Sequence, residues 1–183
     1  MQIRQDQLIK ELLTITEQAM ATAQQFKTLS RDQLNFKKSS AEWSILECLE
    51  HLNLYGDFYL PEIENQLLKN TINRENLIFK SGLIGNYFVN TIQVKNGKIK
   101  KMNSPKDKIP SNSDLSIITI DRFSKQLEKL RLLLHQSATV DLTKLKTAIS
   151  LTPLIKLRLG DTCRFLVYHI ERHMQQAQRN IIE

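Results

Sequence analysis

The stretch "SSAEWSILECLEHLNLYGDFYLPEIENQLLK", residues 39–69, decides how the rest of the chain is read. Ser44 and Glu47 have the S-x-x-E spacing of a capping box, in which each side chain satisfies a free backbone N–H at the start of a helix. Trp43 and Cys48 are spaced as the hydrophobic staple that accompanies it. This predicts a helix beginning near Ser44. Ile45, Leu49, Leu52, Tyr59 and Ile63 then form one apolar stripe, with Gly56 as a small contact in the row. Pro61 lacks the N–H that would bond to residue 57 and crowds that carbonyl, so a kink or a break and restart is expected before helix resumes to about Lys69.

Other helices lie to either side. Residues 3–29 place Leu8, Leu12, Ile15, Ala19, Ala23, Phe26 and Leu29 in steps of three and four, one stripe of a long first helix. A third helix is expected from about Asp114 to Gln136, with Ile120, Phe123, Leu127, Leu130 and Leu134 inward. After a loop-rich stretch containing Pro153, Gly160-Asp161 opens a fourth, with Asp161 as its N-cap. Residues 71–112 differ in kind: "TIQVKNGKIKKM" centres Asn96-Gly97 between short β-prone runs, a hairpin signal or simply a loop. Four amphipathic helices predict an all-α fold, a four-helix bundle forming one domain over residues 1–183. The crossover of about forty residues between helices 2 and 3 lets those two run parallel.

The chain has 183 residues, enough to bury a sizeable core, and its 41% hydrophobic and 25% charged residues argue against disorder and fibrous classes. No run of about 18 apolar residues marks a membrane span, so no membrane partner is expected. The opening "MQIRQDQLIKELL" has no secretory apolar run. Cys48 and Cys163 lie far apart without CxxC spacing, which suggests reduced thiols in a cytoplasm. The net charge of +7 is partly local, with Lys95, Lys98, Lys100, Lys101, Lys106 and Lys108 in one stretch. No aromatic interleaving or nucleic-acid motif accompanies it, so a solvated basic loop is the better reading.

Three histidines carry the chemistry. His169 and His173 are i and i+4, so both imidazoles leave one helix face, in the same row as Leu166 and Ala177. Two buried imidazoles side by side need partners, and a shared cation would satisfy both. The H-E-x-x-H protease motif is absent: Ile170 takes the glutamate's place, and Glu171 points about 200° away from His169. His51 supplies a third inward histidine from the second helix. His135, at the end of the third, reads as a C-terminal dipole partner.

Together "WSILECLEHL" and "LVYHIERHMQQAQ" make the chain resemble the DinB-like, or YfiT-like, metal-dependent family. The pattern is a Trp-Ser-opened second helix with a His about seven residues on, then H-x-x-x-H on the last helix. Here it falls on Trp43, Ser44, His51, His169, Arg172, His173 and Gln176. The resemblance implies up-down-down-up topology and a three-histidine site for a divalent metal, zinc or nickel, with water in open positions.

Three neutral imidazoles leave a metal with an open position, the arrangement of a catalytic site, able to lower the pKa of a bound water or thiol. The resemblance points to transfer of a low-molecular-weight thiol, such as bacillithiol, to an electrophile. The alternatives are a metal-dependent hydrolase and a non-catalytic metal-binding or stress-response bundle; a homodimer is compatible with any of them. Around the site, Glu47 reads as a cap rather than a partner of His51, and Cys48 and Tyr55 as core. Arg172 and Gln176 support the site or meet an anionic ligand, with a solvated Arg172 an equal alternative, while Asp57 and Glu171 stay at the surface.

Overall fold

The computed structural model describes residues 1–70, 77–94, 102–110 and 115–181. Over these the chain is mostly helical, with two small two-stranded antiparallel sheets. Four long helices form its body: α1 (Gln5–Phe26), α3 (Ile45–Lys69), α5 (Ile117–Ser137) and α6 (Leu159–Gln178). The expected stripes are their inner faces, including Leu8, Leu12, Ala19, Ala23 and Phe26 of α1 and Ile120, Phe123, Leu127, Leu130 and Leu134 of α5.

The capping box of α3 forms as its spacing predicts. Glu47 N–H donates to Ser44 Oγ at 3.2 Å, and Ser44 N–H donates to Glu47 Oε2 at 2.8 Å. The helix runs unbroken through Pro61, so no break and restart occurs there. Burial of Tyr59, Leu60 and Ile63 on either side holds the segment helical despite the missing N–H.

Each long helix packs on two others, α3 on α5 and α6, and α1 on α5 and α6. Contacts between α3 and α5 advance together along both: Asn53 with Thr119, Asp57 with Gln126, Glu64 with Lys129. Between α3 and α6 they run in opposite order, His51 with His173, Tyr55 with His169, Tyr59 with Phe165. The ends of α1 and α5 are also matched in reverse. Gln5 Nε2 donates to the carbonyls of Ser137, Ala138 and Val140, while Lys27 meets Asp121 at 2.6 Å.

Several elements were not expected from the sequence. The polar connection after α1 holds α2 (Arg31–Asn35), capped by a Ser30–Gln33 box. Strand β1 (Gln2–Arg4) precedes α1 and pairs with β2 (Ile78–Lys80); α4 (Leu83–Ile92) follows β2. The hairpin expected around Asn96-Gly97 lies outside the described residues, although Thr91 and Ile92 from its proposed first arm end α4. The stretch with Pro153 is itself a hairpin, β3 (Lys146–Ile149) with β4 (Thr152–Arg158).

Strand β4 runs straight into α6, and this moves the helix start. Leu159 N–H and Gly160 N–H donate to the carbonyls of Leu145 and Leu142, so backbone replaces a side-chain cap. The N-cap is Arg158, and Asp161 is a fully buried first-turn residue instead. Its Oδ1 accepts from Ser81 Oγ at 2.5 Å and from Arg164 at 3.1 Å, and its Oδ2 accepts from Gly82 N–H at 2.7 Å. That network seats α4 on α6. Among the described residues no helix is long and apolar enough to cross a membrane.

Candidate metal centre

The antiparallel order of contacts between α3 and α6 brings His51 opposite His169 and His173. All three are buried, at 1%, 6% and 7% exposure, and one nitrogen from each lies within 4.8 Å of the others. His51 Nε2 is 3.3 Å from His169 Nε2, which is 3.1 Å from His173 Nε2. Three ring nitrogens of the same kind thus converge on one point.

Their protonation follows from burial. Desolvation pushes the His51 imidazole down to about 4 and holds His169 and His173 well below the ordinary histidine value. Arg172 depresses all three further, His51 lowers both His169 and His173, and His173 lowers His169. At neutral pH each ring is neutral, the form that binds metal.

The tautomer at His51 is fixed by a neighbour the sequence did not suggest. A short 3₁₀ turn, Lys106–Lys108, lies against α3, and the Lys108 carbonyl is 2.6 Å from His51 Nδ1. The carbonyl can only accept, so Nδ1 carries the proton and Nε2 turns its lone pair to the cluster. Glu47 does not take this role, since it is spent on the cap and on Lys37. The Nδ1 atoms of His169 and His173 are buried with no hydrogen-bond partner among the described residues.

Does this donor set fit a cation? Zinc bound by imidazoles at about 2.0–2.1 Å in tetrahedral geometry places the nitrogens roughly 3.3 Å apart. The two short separations are close to that. Convergent lone pairs that cannot all be satisfied by one another's single protons are satisfied together by one ion. The residues fit a divalent metal.

Aromatic rings wall the cluster. Trp43 is 4.7 Å from His51 and 5.8 Å from His173 between ring centroids; its predicted staple position turns out to be a wall of the site. Tyr55 is 4.4 Å from His169, and Phe165 stacks on His169 at 5.6 Å. Lys108 Nζ stands 6.0 Å above the Tyr55 ring, and Asn180 donates to the Trp43 carbonyl at 2.6 Å. Arg172 is buried rather than solvated, and the Gln176 side chain is beside His173.

The remaining candidates separate cleanly. Cys48 and Cys163 are core, and burial raises both thiols, Cys163 to about 12. Asp57 is a surface partner of Arg122 and Gln126, and Glu171 is partly buried near Glu11. His135 is exposed in the last turn of α5.

The family model for the DinB superfamily matches residues 14–177, a span that contains all three histidines. Comparison with curated proteins and with solved structures gives no match.

Proposed function

The chain belongs to the DinB superfamily, and we propose that it is a metal-dependent enzyme in which His51, His169 and His173 hold a divalent ion, zinc or nickel. We read the architecture as a single domain, an up-down-down-up four-helix bundle, which the order of helix contacts supports. The reaction proposed is transfer of a low-molecular-weight thiol of the bacillithiol kind to an electrophile, in a cytoplasm. The observation that carries the reading is the convergence of three neutral Nε2 atoms from two helices.

When bound, the ion would act as a Lewis acid that lowers the pKa of a thiol or water in its open position. The chain's own groups do the rest. The Lys108 carbonyl aims His51, and the Arg172 cation favours a ligand that becomes anionic beside the histidines. Trp43 and Phe165 limit water. Burial raises the Tyr55 hydroxyl, so it keeps its proton at neutral pH and can donate it. Both cysteines are buried and protonated, so the nucleophilic thiol comes from outside the chain.

The depth of the cluster favours a second reading, a non-catalytic metal-binding module. One experiment separates the two. Protein purified without an affinity metal is assayed for bound metal, and then for consumption of a thiol plus a test electrophile before and after metal stripping. Faster consumption by the loaded form is expected, equal rates would leave only the binding module, and no metal uptake would remove both.

A further inference from the structure

The side of the molecule made by α4 and the β3–β4 hairpin combines exposed apolar and basic side chains. Gly85, Val89 and Ile92 face inward from α4, yet its outer face carries large apolar side chains as well, beside exposed Asn90. Leu83 is 94% exposed, and Ile84 and Tyr87 are exposed beside it. On β4, Ile155 and Leu157 turn toward the protein while Leu154, Lys156 and Arg158 alternate outward, Leu154 at 90% exposure. The two elements abut: α4 packs on β4, and Arg158 donates to the Lys80 carbonyl at 2.5 Å.

Charge coincides with this patch. Segments 77–94 and 142–160 together contain Lys80, Lys144, Lys146, Lys156 and Arg158 and none of the chain's 19 acidic residues. Acidic groups that approach from outside are engaged: Glu62 on the Ala148 N–H, Asp141 on the N–H groups of Thr143 and Lys144, and Asp161 in its buried network. The surface is thus apolar and net basic at once, with Lys144 paired to Asp141 at 3.8 Å.

We infer that α4 and the outer face of β4 dock on an anionic lipid surface. Leu83, Ile84 and Leu154 enter the acyl boundary, Tyr87 sits at headgroup level, and Lys80 and Lys156 meet the lipid phosphates. A second copy of this chain would bring like charges together, and a nucleic acid would leave the leucines without apolar contact. This changes the sequence expectation that no membrane is involved: a helix that lies on a bilayer needs no spanning run. The surface is built independently of the histidines.

The test is co-sedimentation of full-length protein with vesicles of phosphatidylcholine, with and without phosphatidylglycerol. Sedimentation is expected only with the anionic vesicles, reversed by salt, with at least a tenfold loss in Leu83→Asp/Tyr87→Asp and in Lys80→Glu/Lys156→Glu. His169→Ala should bind vesicles like the wild type, which keeps this result separate from the metal centre. Circular dichroism confirms that the variants stay helical. Absence of sedimentation, equal binding to neutral vesicles, or unchanged binding by Leu83→Asp/Tyr87→Asp would overturn the inference. So would a dimer in light scattering that this variant converts to a monomer, because the occupant would then be a second copy.

Discussion

Two parts of α6 bury polar side chains, and they do so to opposite ends. In the first turn, every oxygen of Asp161 has a donor, drawn from Ser81, Gly82 and Arg164, and only the Arg164 Nε is left over among the described residues. Two to three turns later, His169 and His173 each keep a buried Nδ1 with no hydrogen-bond partner among the described residues, and their Nε2 atoms converge with a third. Groups that satisfy one another hold a fold together. Groups that converge without satisfying one another describe something that is to be held.

Removing Asp161 should have the largest effect. Asp161→Ala leaves the Arg164 guanidinium buried without its carboxylate, and α4 loses its anchor. We expect a loss of about 3–5 kcal/mol in urea denaturation, while metal uptake per folded molecule persists. Comparable stability would mean that the network is incidental.

His169→Ala should show the reverse. Metal affinity is expected to fall by more than about 100-fold, beyond what loss of an outer partner typically causes, with helical content retained. A variant that keeps full metal would erase the distinction between the two parts. Gly85→Ala comes next. Its Cβ would meet Asp161 side-chain atoms at 2.5–2.6 Å, and the carboxylate is held too firmly to give way, so about 1–3 kcal/mol is expected.

Acid should separate the two parts by a smaller amount. Unfolded histidines titrate near 6.5, whereas His51 titrates at about 4 and the other two well below 6.5 in the folded chain. Between those values the unfolded state binds more protons, so metal-free protein loses stability as pH falls from about 6.5 toward 4 and is unaffected above it. Bound metal should move the acid midpoint lower. Circular dichroism against pH, with and without zinc, reads this directly, and coincident curves would break it. Smallest of all, exposed His135→Ala should leave metal content unchanged and shift stability by less than about 0.5 kcal/mol.

The body of the fold was legible because its signals are local and periodic. The Ser44–Glu47 box set the start of α3, and stripes such as Leu8–Leu12–Ala19–Ala23–Phe26 marked inner faces. The histidine cluster was legible because i,i+4 spacing is a local fact and His51 shares the same kind of face. What escaped depends on partners distant in sequence. Helix α4 carries Gly85 because Asp161 arrives there from 76 positions away in the chain. The start of α6 was misplaced because backbone carbonyls of Leu142 and Leu145 replace the expected cap. Strand β4 hid behind Pro153, and no side-chain pattern announces that a Lys108 carbonyl will orient His51.

Trp43 is the only tryptophan in 183 residues, and its ring stands against two of the three histidines. The protein's long-wavelength emission is therefore the emission of one wall of the candidate centre. A paramagnetic or heavy ion arriving between those rings would dim it, and zinc would shift it by changing the imidazoles' charge distribution. Titration in a fluorimeter, with no label and no chromogenic substrate, can count ions into the site one equivalent at a time.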